Sequence, residues 1–224
     1  MSTVWQAQWA DIQIPAPRLQ RLNEQHPATI HGLGRREVLC EHILGLICSV
    51  RCPGSIVIQT FDAIRELRDA GLVVAGGFHS PMEKECLDFL LRGEQPVIVC
   101  PAKGLALPRL PTTWRAAIDA GRVLLLSPFG DTVTRTTQAQ AETRNEFIAA
   151  LAHAVLIPHA SPGGKAEVIA RHVLERGQPL FTFDDEANAG LLKLGARPYN
   201  IDEIRRLAAT GTAIETDAPR TSRS

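Results

Sequence analysis

The 224-residue chain has no net charge, with 24 Lys and Arg against 24 Asp and Glu. That balance excludes the excess of positive charge that drives strong non-specific binding to a polyanion, so any nucleic-acid surface must be a local patch. The chain also lacks any apolar run approaching the roughly 18–20 residues of a membrane span. Its opening residues, MSTVWQAQWADIQIP, lack the basic region and apolar run of an export signal. A soluble, cytoplasmic protein with no membrane partner is expected.

Several motifs are missing too. No G-x-G-x-x-G follows a candidate strand and no G-x-x-x-x-G-K-S/T occurs, which disfavours nicotinamide cofactors and P-loop ATP hydrolysis. Gly32-Leu33-Gly34 is an isolated fragment and reads as a turn. No H-E-x-x-H occurs and the histidines are dispersed. The five cysteines, Cys40, Cys48, Cys52, Cys86 and Cys100, are odd in number, and Cys48 and Cys52 have no partner Cys/His pair at zinc-ligand spacing. Reduced thiols are expected, with no disulfide framework, no metal and no cofactor.

With 45% hydrophobic and 21% charged residues, the chain can bury a substantial core, and its length suits one domain with terminal extensions. Residues 1–42 show no sustained period and read as an irregular or helical segment. From Ile43 onward, short apolar runs alternate with amphipathic stretches: 43–48, 72–75, 97–100, 123–127, 154–158 and 179–183. Runs apolar on both faces, separated by helical patterns, predict parallel strands covered on both sides. The expected fold is α/β, a three-layer Rossmann-like parallel sheet with helices on both faces, over residues 43–200. Residues 201–224 read as a C-terminal helix and a flexible tail.

Val57, Phe61, Ile64 and Leu67 recur at helical spacing, as do Phe147, Ile148 and Leu151, and Val168, Ile169 and Val173; these stripes read as core. Ser80-Pro81-Met82-Glu83 spells an N-cap, a proline at the first helical position and a capping-box glutamate. Ser161-Pro162 reads as opening the helix of about 163–176 in the same way, and Gly177 as ending it.

In an open parallel sheet, ligands bind beyond the carboxyl ends of the strands, where helix N-termini favour anions. Three loops qualify: Cys48 to Ser55, Gly76 to Pro81 and His159 to Lys165. The candidate phosphate-binding residues in these loops are Ser49, Arg51, Gly76, Gly77, His79, Ser80, Ser161, Gly163, Gly164 and Lys165, whereas Arg144 and Asn145 open an amphipathic run whose polar face reads, on composition alone, as solvated. The glycines would permit close backbone approach, and Arg51 and Lys165 would supply charge. Taken singly, each loop is better explained by turn chemistry and solvated charges; three converging on one sheet edge favour a ligand. Glu83 is accounted for by its cap and His79 by a strand end, so no catalytic residue is assigned. The ligand is expected to be a nucleotide or single-stranded nucleic acid.

Taken in order, these loops resemble the DNA-processing protein A (DprA, or Smf) family, related to the Lonely Guy and molybdenum-cofactor carrier families. The likeness spans about residues 43–183. It rests on Cys48-Ser49-Val50-Arg51 against a Gly-Ser-Arg-type turn, Val73 to Glu83 against a "vvSGfA-x-G-x-D" segment, and Arg144-Asn145-Glu146-Phe147-Ile148-Ala149-Ala150-Leu151 against an Arg-Asn-Arg helix motif. Ser161 to Lys165 and Gly177 to Phe183 complete it. The resemblance implies single-stranded DNA binding with Arg144 and Asn145 contacting phosphate or base, a role in DNA uptake, transformation or recombination, a RecA-type recombinase as partner, and leaves a homodimer open. Glu146 stands where the family has its second arginine, and Ser-Pro-Met-Glu replaces its Gly-x-Asp. Two alternatives remain: a Lonely Guy-type nucleoside-monophosphate phosphoribohydrolase, of whose Pro-Gly-Gly-x-Gly-Thr-x-x-Glu motif only Pro162-Gly163-Gly164 matches, with Glu167 three positions early, and a non-catalytic nucleotide-sensing module.

Overall fold

The computed structural model describes residues 3–25, 27–105, 110 and 112–210. The strands are β1 (Trp5–Gln8), β2 (Thr29–Leu33), β3 (Ile43–Leu46), β4 (Val73–Gly76), β5 (Val97–Val99), β6 (Val123–Ser127), β7 (Ala154–Leu156), β8 (Leu180–Thr182) and β9 (Arg197–Pro198). The α-helices are α1 (Ala16–Gln25), α2 (Gly54–Asp69), α3 (Pro81–Leu90), α4 (Thr112–Asp119), α5 (Gln138–Leu151), α6 (Lys165–Glu175), α7 (Ala189–Leu194) and α8 (Ile201–Thr210). The strands form one sheet in the order β1-β2-β6-β5-β4-β3-β7-β8-β9. From β6 to β9 all pairs are parallel, while β1 and β2 are antiparallel to their neighbours.

Each of the six apolar runs forms all or most of a strand, and the reason is visible in how side chains divide. Ile43, Val73, Ile98, Leu124, Val155 and Leu180 join one buried cluster with residues of α5 and α6. Their neighbours Leu44, Val74, Val99, Leu125, Leu156 and Phe181 join the other, with α2, α3 and α8. Alternate side chains enter opposite layers, and both layers are covered by helices, so no polar alternation survives in the sequence.

Residues 1–42 differ from the irregular or helical reading. They do contain α1, but β1 and β2 pair with each other and β2 extends the sheet edge at β6. The Gly32-Leu33-Gly34 fragment is strand rather than turn as far as Leu33. A Cβ on Gly32 would stand 2.1 Å from the Trp5 indole, and Trp5 Nε1 donates to Gly34 O at 2.8 Å. Gly32 is therefore the slot in which Trp5 lies, a tertiary use that periodicity does not report.

Ser80 forms its capping box as read, with Pro81 at the first turn. The second helix start is different: α6 begins at Lys165 behind Gly164, and Ser161 caps nothing. Ser161 to Gly164 instead form a turn closed by Gly164 N to Ser161 O at 2.8 Å, with Gly163 at φ +68°. Only glycine adopts that backbone without cost, so the turn pushes the helix start past the proline. Along α6, Ile169 and Val173 are core, whereas Val168 is 43% exposed. Gly177, at φ +64°, ends the helix as read. The tail read at Asp217 to Ser224 lies outside the described residues. No helix among the described residues is long and apolar enough to cross a membrane.

Candidate functional site at the carboxyl edge of the sheet

The chain leaves β3 toward β4 on one side and leaves β7 toward β8 on the other, so the crevice between the β3 and β7 ends is the topological switch point. Its two loops are stitched together by Ser49. Ser49 N donates to His159 O at 3.1 Å, and Ser161 N donates to Ser49 Oγ at 3.1 Å. The buried His159 ring is held by Asn188, with Nδ1 and Oδ1 3.0 Å apart. Arg51 stands exposed at the rim, and no ion pair ties it down among the described residues.

Beneath this rim the Cys48 and Cys52 sulfurs lie 3.1 Å apart. The neighbouring Cys52 and burial push the Cys48 thiol up, while the hydrogen bond from Cys48 pulls Cys52 down. Cys52 is thus the better nucleophile of the two. A small aromatic disulfide is expected to react first at Cys52. Cys48 then displaces the reagent thiol, leaving a Cys48–Cys52 bond and two reagent thiols. Intact-mass measurement should show the loss of two hydrogens; a persistent adduct on either cysteine would show that the pair cannot close.

Beside the switch point, a cleft of about 530 Å³ opens over the ends of β4 and β5. Gly77, His79 and Arg144 line it, together with Lys84, Lys103, Trp114 and Thr136. Arg144 comes from α5 and is only 6% exposed. Its Nη1 donates to Cys100 O at 3.2 Å and its Nε to Asn145 Oδ1 at 2.7 Å. Burial lowers the Arg144 pKa, and the charge of Glu83 works against that. Glu83 Oε2 in turn accepts from the His79 and Ser80 amides at 3.0 Å each. A capping carboxylate thereby holds the β4–α3 loop and balances the buried guanidinium.

The sequence-predicted residues divide accordingly. Gly77, His79 and Arg144 meet in the cleft; Ser49, Arg51 and Ser161 lie at the switch point. The double glycine works differently from the close ligand approach expected of it. A Cβ on Gly77 would stand 1.9 Å from Arg144 Nη1, and one on Gly76 would stand 2.9 Å from the Phe78 ring. Both make room for side chains of the protein itself. Gly163 N donates to Glu167 Oε2 at 2.7 Å, and Lys165 Nζ pairs with Glu142 Oε1 at 3.1 Å. Glu167 also accepts from Arg171 at 2.6 Å, so this carboxylate is engaged in the turn rather than turned toward the cleft's lining. Asn145, Gly76, Ser80, Gly164 and Lys165 are not part of that lining.

Lys84, Lys103 and Trp114 were not foreseen. Lys103 carried a signal, since it follows the Val97–Val99 strand in a Pro-Ala-Lys-Gly loop much like those that were selected. Its backbone is pinned by Ser127 Oγ, which donates to Lys103 O at 2.8 Å. Lys84 and Trp114 sit on α3 and α4, where nothing but tertiary placement marks them. The cleft gathers Lys84, Lys103 and Arg144 against a single acidic lining residue, Asp88. A neutral chain has concentrated positive charge here. No cluster of metal-ligating side chains occurs among the described residues.

This sheet order, with loops converging at a switch point, defines a Rossmann-like α/β protein. Within that class the chain belongs to the DNA recombination-mediator protein A family, whose pattern it matches over residues 6–203. DNA processing protein A from Streptococcus pneumoniae superposes with a TM-score of 0.74 at 17% identity, covering 93% of this chain and 74% of that one. The Helicobacter pylori DNA processing protein A, which binds single-stranded DNA, gives 0.72 at 20% identity, covering 92% and 95%. A molybdenum cofactor carrier protein from Chlamydomonas reinhardtii gives 0.51 at 15% identity, covering 75% and 98%. No curated protein matches the sequence.

Proposed function

We propose that this protein binds single-stranded DNA along the carboxyl edge of its sheet, from Arg51 at the switch point to Lys103 in the cleft. The observation that carries the reading is the cleft itself, where Lys84, Lys103 and Arg144 stand beside Trp114. Single strands are held without sequence readout by a cationic groove that tracks phosphates and by aromatic faces on which bases stack. The single-strand binding of the Helicobacter pylori relative supports the same ligand. In the cell the reading places the protein in the cytoplasm, acting in DNA uptake or recombination, with a RecA-type recombinase and a second copy of itself as protein partners.

Fluorescence anisotropy with a labelled oligothymidylate tests it. With about three phosphates neutralised, the log–log salt slope should be about −2, a loss of about 20-fold in affinity between 50 and 200 mM salt. Binding indifferent to salt would overturn the reading, and competition by AMP at equal affinity would replace the strand by a free nucleotide.

A further inference from the structure

A second pocket, of about 150 Å³, lies at the opposite end of the strands. His42, His153 and Gln178, which stand just before β3, β7 and β8, line it together with Arg18, Arg21 and Arg176. Arg18 is 1% exposed; its Nη2 donates to Leu39 O at 2.6 Å and its Nη1 to Glu41 O at 3.2 Å. Arg21 donates to Ala150 O at 3.3 Å and to Ala152 O at 2.8 Å. Among the described residues, neither has a carboxylate within salt-bridge distance, while Arg176 is paired with Glu146. Burial and the adjacent arginines hold Arg18 and Arg21 down to about 10, so both remain charged at neutral pH. Two guanidinium groups, Arg18 and Arg21, therefore face a half-enclosed space with no carboxylate of their own, an arrangement that costs stability until an anion joins it.

The histidines sharpen the demand. His153 Nδ1 accepts from the Ile43 amide at 3.0 Å, so the neutral ring carries its proton on Nε2. Arg18 Nη1 lies 3.3 Å from that Nδ1 and 3.2 Å from Nε2, against the ring edge between them. His42 stacks on His153 with ring centroids 4.0 Å apart, and its buried Nε2 has no hydrogen-bond partner. Burial and Arg18 lower His42 to about 4, and burial with the surrounding cations lowers His153 to about 2. Both rings are thus neutral, and the pocket's charge comes from the arginines. Gln178 donates through Nε2 to Ala149 O and Ala152 O at 2.8 Å each, leaving its buried Oε1 without a partner.

We infer that this pocket is a binding site for a phosphate-type oxyanion. Arginine forks match tetrahedral oxyanions in geometry as well as charge. The 150 Å³ volume is ample for a phosphate group. A protonated phosphate oxygen can also donate to Gln178 Oε1, which sulfate at neutral pH cannot do. The phosphate belongs either to the free ion or to the 5′ end of a nucleic-acid strand. The site is independent of the DNA-binding reading, because none of its residues lines the cleft at the other edge.

Calorimetric titration of the full chain with inorganic phosphate, alongside thermal unfolding in phosphate against chloride at matched ionic strength, tests the inference. Saturable binding and a raised midpoint are expected, with sulfate weaker than phosphate. Arg21→Gln should weaken phosphate by about tenfold through loss of a charge-assisted contact, while Lys193→Ala, at an exposed lysine of α7 that lines neither pocket, leaves it unchanged. His42→Ala, which keeps all three arginines and removes the unpartnered Nε2, should weaken phosphate by about threefold and serves should Arg21→Gln fail to fold. Absence of saturable binding, or equal binding by wild type and both pocket variants, would overturn the site. Competition by a 5′-phosphorylated trinucleotide, but not its 5′-hydroxyl form, assigns the strand end; failure of both to compete assigns the free ion.

Discussion

Reversing both cleft lysines, Lys84→Glu with Lys103→Glu, is expected to lower single-stranded DNA affinity by about 100-fold at about 0.1 M salt, with the fold untouched. Each reversal replaces an attraction of about 1 kcal/mol across solvent by a repulsion of the same size, and screening trims the sum. Stability should be spared because both side chains are exposed and neither has an ion pair among the described residues. The neutral pair, Lys84→Ala with Lys103→Ala, should flatten the salt slope by about 1.4, two phosphates at about 0.7 each. Asp88→Asn, which removes the acidic residue of the cleft lining, should act in the opposite direction and tighten binding. Anisotropy titrations on these variants, with far-UV circular dichroism melts as the control for folding, separate a cleft that holds DNA from one that does not. Unchanged affinity in the reversed pair would remove the cleft from the interface.

How far such a surface can be read before the fold is known depends on what each residue answers to. Parallel strands were legible because burial on both faces leaves runs such as Val97–Val99 with no polar position, a local signature of a global arrangement. The capping box at Ser80 was equally local. β1 was not legible: with the burial pattern intermediate, exposed, buried, exposed, it owes its place to the Trp5 indole lying over Gly32, a contact across 27 positions of chain. The site divides along the same line. Loop positions after strands follow from strand order, so Ser49, Arg51, Gly77 and Ser161 were reachable. Engagement is not a local property. Nothing near Lys165 in sequence announces that Glu142, on a different helix, takes its charge. The second basic pocket was hidden for the same reason, since Arg18, His42, His153 and Arg176 come from four separate parts of the chain.

Gly77→Ala is expected to destabilise the protein by roughly 2–4 kcal/mol, a large effect for one methyl group. The added Cβ would stand 1.9 Å from Arg144 Nη1 and 2.3 Å from its Cζ, so one of the two must move. If Arg144 moves, Cys100 O loses its donor and the guanidinium gives up its contact with Asn145. If the loop moves, it must break the paired hydrogen bonds that the Glu83 carboxylate accepts from the His79 and Ser80 amides. Neither route is cheap, because a buried polar group left unpaired costs about 1–3 kcal/mol. The clash exists only while Arg144 is present. The double variant Gly77→Ala with Arg144→Ala should therefore be scarcely less stable than Arg144→Ala alone, a coupling that approaches the whole cost of the single Gly77→Ala change. Urea midpoints across the four-member cycle measure it. An additive cycle would mean that the glycine answers to something other than the arginine, and the close ligand approach first expected of Gly77 would return as its explanation.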